Sequence, residues 1–235
     1  MQVRTKPKNR GGRPRKFDEG EALDRMRRQL WTTGLSGTSI EGIARSAGLN
    51  RPSLATAFGD KDAIYAKAAA QYGKMMDNRM REAMADEDLT TALTNAFETA
   101  IDIYTESGPN GCFITSTAPA ETLTSPVVRA ILDRTLHDID ALFLERLEKE
   151  KGKRPADLPV LAAQLGATLH SLSLRARAGW TSGKLQSLAA GTIRLVHTYY
   201  RDADRRSSRA SPRVVELSLT GRASKRVVKK SVKRA

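Results

Sequence analysis

The side chains best suited to chemistry on another molecule lie in one segment, residues 38–58, with the sequence TSIEGIARSAGLNRPSLATAF. Arg51 can donate two parallel hydrogen bonds, which matches the O6 and N7 acceptors of guanine. Ser53 and Thr56 follow at short spacing, and their hydroxyls suit a phosphate or a base, while the Thr56 methyl suits thymine. This segment therefore indicates hydrogen bonding to a nucleic acid, provided that the backbone presents these side chains together.

Donors on either side of these residues suit the phosphate backbone. Thr38 and Ser39 precede a predicted helix, where hydroxyls and free backbone N–H groups can donate to phosphate. Arg13 and Arg15 lie in a basic arm rich in proline and glycine, residues 1–16, from which they could reach a minor groove. Because the arm is too charged to pack, the same two arginines could instead be only solvated charge.

The spacing of small and apolar residues within 38–58 is typical of two short helices that cross through a tight turn. Ala44 supplies the small residue at the crossing, and Gly48, four positions later, tolerates the left-handed backbone that the turn needs. Apolar residues fall where the packing of such helices requires them, at Ile40, Ile43, Leu49, Leu54 and Phe58. The pattern predicts a helix-turn-helix with Arg51 near the start of a groove-reading helix.

Capping signals and apolar periodicity predict helices along the whole chain and no strand. Asp18 with Glu21 opens the first helix, and Thr38 with Glu41 opens the second, each pair as a capping box. Further helices are expected over 51–58, from 61 into the eighties, and over 89–104, 112–122, 126–151, 158–178 and 183–200. The predicted fold class is all-α: an N-terminal three-helix domain with the helix-turn-helix, then a larger helical domain, with nine helices in total.

Basic charge is concentrated at the two ends of the chain. The net charge is +14, yet residues 17–200 hold 21 basic and 23 acidic side chains. Residues 1–16 carry seven basic and no acidic side chains, and residues 201–235 carry twelve and three. We divide the chain into a flexible basic arm (1–16), a helix-turn-helix DNA-binding domain (17–65), a helical regulatory and dimerisation domain (66–200) and a basic, disordered tail (201–235).

Composition disfavours several classes of protein. The single cysteine, Cys112, excludes an internal disulfide framework and a cysteine-rich zinc site. His137, His170 and His197 lie far apart without a repeated carboxylate spacing, so neither a metal nor another cofactor is expected. No apolar run approaches the roughly 18 residues that span a bilayer, and no secretory signal is found. A cytoplasmic protein without a membrane partner is the expectation.

The segment from about Phe17 to Tyr65 resembles the tetracycline-repressor family of bacterial regulators, most closely in GLNRPSLATAFGDKDAIY. The resemblance implies a two-domain, nine-helix homodimer that represses transcription from a palindromic operator and is released when a small ligand binds the large domain. It also implies that Lys61 grips phosphate. Ala55 departs from the pattern, because the family has a tyrosine there that contacts phosphate, so one anchor to the operator is missing.

The larger domain carries the predicted effector and dimer sites. A ligand pocket between the central helices would be lined by Phe97, Ile101, Tyr104, Cys112, Phe113 and Ser116, although each of these residues could be plain core. Cys112, at the start of a helix, is either a thiol that senses electrophiles or oxidants or an inert buried thiol. The leucine-rich stripes of 158–178 and 183–200 predict a four-helix bundle between two subunits, or core within one subunit.

Two other functions compete with a ligand-responsive repressor. An enzyme that used Cys112 as nucleophile with a histidine as base would leave the helix-turn-helix unexplained, so no enzymatic activity is expected. A sequence-indifferent nucleoid or nucleic-acid-binding protein could act through the basic tails alone, but it would have no use for Arg51 on a groove-reading helix. The prediction is a dimeric repressor that is not an enzyme.

Overall fold

Short polar side chains determine where the helices begin in the computed structural model, which describes residues 17–209 apart from 107, 151–154 and 156. Five N-cap side chains accept a hydrogen bond from a backbone N–H of the first turn: Asp18, Ser39, Asn50, Asp60 and Ser125. These bonds satisfy N–H groups that a helix leaves without a partner at its start. Local sequence therefore determines most helix beginnings.

The described residues form nine α-helices, one turn of 3-10 helix and no strand. The helices are α1 (Glu19–Thr33), α2 (Ile40–Ser46), α3 (Arg51–Phe58), α4 (Lys61–Ala83), α5 (Leu89–Glu106), α6 (Phe113–Thr117), α7 (Pro126–Glu148), α8 (Leu158–Arg177) and α9 (Ser182–Arg209). The 3-10 turn covers Pro119–Glu121, between α6 and α7. The predicted all-α fold is confirmed, as is the helix-turn-helix domain followed by a larger helical domain.

The helices surround one continuous apolar core. At the N-terminal end, α1 packs on α2 and α4, and α3 packs on α2 and α4. Beyond it, α8 packs between α7, α5 and α9. Aromatic rings join the two parts of the core, because Trp31 of α1 contacts both Tyr72 of α4 and Phe113 of α6 edge-on.

Polar bonds also join the N-terminal helices to the larger domain. The buried carboxylate of Glu121 accepts two hydrogen bonds from Ser36, one from its backbone N–H at 2.9 Å and one from its side-chain hydroxyl. Arg177, at the end of α8, donates to the carbonyl of Trp31 at 2.9 Å. The Tyr65 hydroxyl lies 2.8 Å from that of Thr117. The turn between α1 and α2 is thus held by the segment that follows α6.

Four details differ from the sequence predictions. Thr38 does not cap α2; Ser39 does, because the Thr38 hydroxyl points inward and donates to the carbonyl of Gly34 at 2.7 Å. The helix expected over 112–122 is split into α6 and the 3-10 turn, since Pro119 lacks the N–H that would continue it. The next helix ends at Glu148 rather than near 151.

The last helix is the fourth difference, and it changes the predicted boundary of the C-terminal tail. It continues to Arg209 rather than ending near 200, so the beginning of the segment expected to be disordered is helical. Residues 210–235, like the arm 1–16, lie outside the described residues. Within residues that are described, no helix is long and apolar enough to cross a membrane.

The leucine stripe of α8 is core within one subunit. The leucines of this stripe and the small residues between them are all buried in the single chain: Leu161, Ala162, Leu165, Gly166, Leu169 and Leu172. On α9, Ile193 and Val196 are buried in the same way, whereas Leu195 is 63% exposed. The stripes therefore pack against α5 and α7, and any contact with a second subunit must use other faces of these helices.

Candidate nucleic-acid interface

The turn between α2 and α3 has the backbone conformation that a helix-turn-helix requires. Gly48 has a φ of +68°, a left-handed conformation that side chains with a Cβ rarely adopt. The N–H of Leu49 then returns to the carbonyl of Ala44 at 2.9 Å and closes the turn. Ile43, Ala44, Leu54 and Phe58 are buried, so the apolar faces of both helices point into the core. Their polar faces are consequently left on the surface.

The start of α3 presents the predicted base-reading side chains to solvent. Arg51 is the first residue of α3, and its side chain is 69% exposed. Ser53 and Thr56 are also exposed on this short helix. The Thr56 hydroxyl donates to the carbonyl of Pro52 at 2.9 Å, so its proton is used within the helix. That bond leaves the methyl group and an oxygen lone pair for an outside contact.

The residues predicted to contact phosphate have different environments. Ser39 is exposed at the beginning of α2, and Lys61 is half-buried at the beginning of α4. Thr38 is buried, with its hydroxyl bonded to Thr33 and Gly34, so its predicted hydroxyl contact with phosphate is wrong. Arg13 and Arg15 lie outside the described residues. The contacts of Ser39, Lys61, Arg13 and Arg15 with DNA stay predictions.

Glu41 has a partner that sequence reasoning missed. Predicted as a capping-box residue, Glu41 instead accepts a hydrogen bond from the Nη1 of Arg51, at 3.1 Å. Both side chains are exposed, at 57% for Glu41 and 69% for Arg51. The pair therefore links the first turn of α2 to the first residue of α3 on the outer surface. No local spacing rule predicts it, because the turn geometry brings the two residues together.

Lys67 is a second residue that the sequence did not single out. Its ammonium donates to the carbonyl of Ala57 at 3.0 Å and lies 5.4 Å from the ring centre of Phe58. A cation at this position complements the negative end of the α3 helix dipole. Lys67 of α4 thus holds the end of α3, while Asn50 caps its beginning. The helix is anchored at both ends before any nucleic acid binds.

Ala55 lies on the exposed face of α3, near the middle of the helix. It is the position where the resemblance implies a tyrosine. Because the position faces solvent, the alanine leaves no gap in the core. What the chain lacks here is a hydroxyl on the outer surface.

The residues of the predicted ligand pocket are buried in two groups. Phe97 packs against Phe143 of α7, at 5.8 Å between ring centres, whereas Phe113 packs against Tyr65 and Tyr72. Ile101, Tyr104 and Cys112 are buried as well, and Ser116 is half-buried.

Cys112 lies at the beginning of α6, on the inside of the protein. It is 4% exposed, and its backbone N–H donates to the Ser173 hydroxyl at 2.8 Å. Gly111 precedes it at φ +87°, where a Cβ would lie 2.7 Å from the carbonyl oxygen of Ser173. Whether the thiol senses a reagent or is inert core stays a prediction.

An open polar cleft lies elsewhere on the larger domain. It has a volume of about 370 Å³, lies between α4 and α5, and is lined by Arg79, Glu82, Ala83, Asn95, Glu98, Thr99 and Asp102. None of the predicted pocket residues lines it. Its charged, open walls differ from the largely apolar, enclosing walls of typical small-molecule sites.

Comparison with known proteins gives consistent matches over most of the chain. The family described as bacterial regulatory proteins, tetR family, matches residues 22–68, which run from α1 into α4. The HTH-type transcriptional repressor ComR of Escherichia coli (strain K12) is 26% identical over 196 residues, covering 78% of this chain and 91% of that protein.

Solved structures share the helical arrangement over about three quarters of this chain. A cysteine mutant of the TetR family transcriptional regulator CifR, complexed with 26-bp double-strand operator DNA, superposes with a TM-score of 0.72. It is 25% identical and covers 78% of this chain and 98% of that one. A TetR-family regulator from Streptomyces coelicolor, 15% identical, has a TM-score of 0.66 over 78% of this chain and 94% of that one, which shows the fold. Residues 22–68 therefore match the tetR family of bacterial regulatory proteins, and the helical fold of the chain is the one that TetR-family regulators have.

Proposed function

We propose that this chain is a ligand-responsive transcriptional repressor that binds a palindromic DNA operator as a homodimer. In this proposal residues 17–65 bind DNA, and residues 66–200 bind the effector and a second subunit. The single observation that carries it is the outward-facing start of α3, where Arg51 stands exposed on a helix anchored at both ends. The repressor ComR and the operator-bound CifR, which resemble this chain, support the same assignment.

The contacts to DNA divide into two kinds. Arg51 would read guanine, and Ser53 and Thr56 would contact neighbouring bases or phosphates of the major groove. Ser39 and Lys61, which begin α2 and α4, would bind the phosphates on either side. Arg13 and Arg15 of the N-terminal arm are proposed to follow the minor groove.

Exposed apolar side chains on the last two helices support the homodimer. Leu174 of α8 is 56% exposed, while Leu195 and Tyr199 of α9 are 63% and 45% exposed. Leu174 lies opposite the buried face of α8, and Leu195 and Tyr199 lie beside the buried face of α9. A two-fold partner that covered them would give the dimer two symmetry-related copies of α3, which a palindrome requires.

The effector is proposed to enter the core between the central helices, beside Phe113. That ring contacts Trp31 of α1, so a ligand that displaced it would disturb the packing of the N-terminal helices. Tyr72 supports this location, because its hydroxyl is buried beside Cys112 and the backbone of Phe113 without a hydrogen bond of good geometry. A ligand with a polar group could bind that hydroxyl.

Selection from random double-stranded DNA tests the proposal. The full-length protein is expected to enrich one palindromic sequence whose half-sites are about 10 bp apart, one helical turn, or a multiple of it. Enrichment of no sequence would contradict sequence-specific repression and favour indifferent binding through the tails. A protein lacking residues 1–16 and 210–235 separates these readings, since it should keep its preference with a shallower salt dependence.

Arg51→Ala measures the contribution of α3 to recognition. We expect it to weaken binding to the selected operator by about 1–3 kcal/mol and to relax selectivity at one base pair of each half-site. Arg134→Ala on α7, which removes an exposed arginine far along the chain, is the control. An equal loss of affinity on every sequence would instead make Arg51 a phosphate contact.

A further inference from the structure

Glu41 is the only acidic residue between positions 34 and 59, the stretch that contains the whole helix-turn-helix. An exposed carboxylate on a surface that meets a polyanion weakens binding to every DNA sequence by repulsion. Glu41 does not stabilise α2 as a cap, since Ser39 accepts the N–H of the first turn. Its carboxylate contacts Arg51 instead. An acid in the first turn of α2 complements the helix dipole, but that effect does not require the contact with Arg51.

The geometry of the pair leaves Arg51 able to read a base. A guanidinium has five N–H donors in a planar fork, and Glu41 engages Nη1. Four N–H donors remain, and two of them on one edge of the guanidinium suffice for the O6 and N7 atoms of guanine. An exposed ion pair of this kind stabilises a fold by only about 0–1 kcal/mol, so its effect on folding is small.

The pair should nevertheless restrict what Arg51 can contact. A free arginine side chain samples many rotamers and reaches any nearby phosphate, whichever the sequence. A carboxylate at 3.1 Å holds the guanidinium beside α2 and repels the phosphates around it. Arginine held in this way gains most where a guanine edge meets its remaining donors. Repulsion by the carboxylate weakens binding to every DNA sequence, whereas the hydrogen bonds of a positioned Arg51 strengthen binding only to a sequence with guanine at the right place. The difference between the two affinities, which is the specificity, therefore increases.

We propose that Glu41 is a positioning residue that determines specificity: it holds Arg51 for guanine and keeps it from non-specific phosphate contacts. The inference rests on the proposed function, in that it requires a preferred operator. It goes beyond that function by assigning selectivity to an acidic residue that need not touch DNA. The proposal makes a distinctive prediction: removal of the Glu41 carboxylate should tighten binding to DNA that is not the operator.

Binding of full-length wild type and Glu41→Gln to two duplexes tests this proposal. The duplexes are the selected operator and a scrambled sequence of equal length and composition, measured by fluorescence anisotropy over about 50–200 mM salt. For Glu41→Gln we expect about threefold to tenfold tighter binding to the scrambled duplex and little change on the operator. The slope of log K against log salt on the scrambled duplex should steepen by about 0.9, the value of one added phosphate contact.

Two further variants separate positioning from simple charge. Glu98→Gln on α5 makes the same charge change on an exposed residue of the larger domain and should leave the ratio of the two affinities unchanged. In an Arg51→Ala background, Glu41→Gln should no longer alter that ratio, because the residue it positions is gone. Persistence of the effect without Arg51 would overturn the proposal.

The remaining outcomes are equally decisive. A Glu41→Gln protein that gains equally on both duplexes, or changes on neither, would overturn the inference and leave the proposed function standing. A wild-type protein that does not distinguish the duplexes would overturn the proposed function and this inference with it.

Discussion

At the scale of single residues, the side chains that α3 exposes are those that do not pack into the core. Leu54 and Phe58 point inward, so Arg51, Ser53, Ala55 and Thr56 are left outside. Helical periodicity alone predicts that division, since it depends on residues three and four positions apart. What each exposed side chain touches is a separate matter: Thr56 donates to its own helix, and Arg51 bonds to Glu41.

Ala55 provides a test of affinity at this scale. We expect Ala55→Tyr to tighten operator binding about fivefold, because one added hydrogen bond to phosphate contributes about 1 kcal/mol. Anisotropy on the selected operator measures the gain. Ala55→Phe adds the ring without the hydroxyl and should stay near wild type; an equal gain from phenylalanine would attribute the effect to apolar contact instead.

At the scale of elements, the α1–α2 turn is stabilised from outside the N-terminal helices. Glu121 reaches it from the 3-10 turn that follows α6, and Ser125, the cap of α7, donates to Asp62 of α4 at 2.8 Å. These bonds join positions 63 and 85 residues apart in the chain. The orientation of the helix-turn-helix therefore depends on the conformation of the α6–α7 connection.

Removal of the Glu121 carboxylate tests that dependence. We expect Glu121→Ala to lower the free energy of unfolding by about 1–3 kcal/mol, since the N–H of Ser36 loses its acceptor in a part-buried position. Urea denaturation measures the loss. Glu121→Gln keeps an acceptor oxygen and should lose less. Glu98→Ala, at an exposed position, is the control. If Glu121→Ala and Glu98→Ala were equally stable, the hydrogen bond between Ser36 and Glu121 would contribute nothing to stability.

At the scale of the whole molecule, α8 is central to the larger domain and α9 covers its outer side. The inner faces of these helices are used within the subunit, so the dimer must be built from what remains exposed. Apolar side chains left on the surface in this way are typical of protein interfaces. Two properties depend on how all the helices pack together: the dimer that the exposed faces can form, and the pKa of a buried side chain such as His170.

Leu195→Glu tests the proposed dimer. A carboxylate at a covered position costs several kcal/mol when buried without a partner, so we expect dimerisation to weaken by about a hundredfold or more. Sedimentation velocity over a range of concentrations would detect monomer, and binding to the palindrome should fall in parallel. Leu123→Glu makes the same change at a residue that is 88% exposed before α7. If Leu123→Glu dissociated the dimer and Leu195→Glu did not, the interface would have to include Leu123 instead of Leu195.

Histidine burial predicts how the stability of the molecule depends on pH. Burial lowers the pKa of His170, and Asp140 only partly opposes this effect. Because the unfolded chain binds a proton here more readily than the folded one, stability should fall as pH drops below about 6.5, the usual pKa of histidine. The melting temperature of His170→Gln should drop less than that of wild type between about pH 7.5 and about pH 5.5.

His137 is the matched control for that experiment. It is exposed on α7, and a hydrogen bond with the carbonyl of Asp133 raises its pKa, the opposite direction. A group with a raised pKa stabilises the fold when it is protonated, so His137→Gln should lose at least as much stability in acid as wild type. An equal fall in melting temperature for His170→Gln and wild type would mean that other groups govern the acid response.

The sequence by itself determined the helices, the helix-turn-helix and the exposed start of α3. Caps, apolar periodicity and a left-handed glycine act between residues a few positions apart, so they can be read without a structure. Only the tertiary structure decided that Thr38 is buried, that Glu41 binds Arg51, that Lys67 holds the end of α3 and that the α8 stripe is core. Those outcomes depend on which helix faces pack together, and that choice is made by residues distant in the chain.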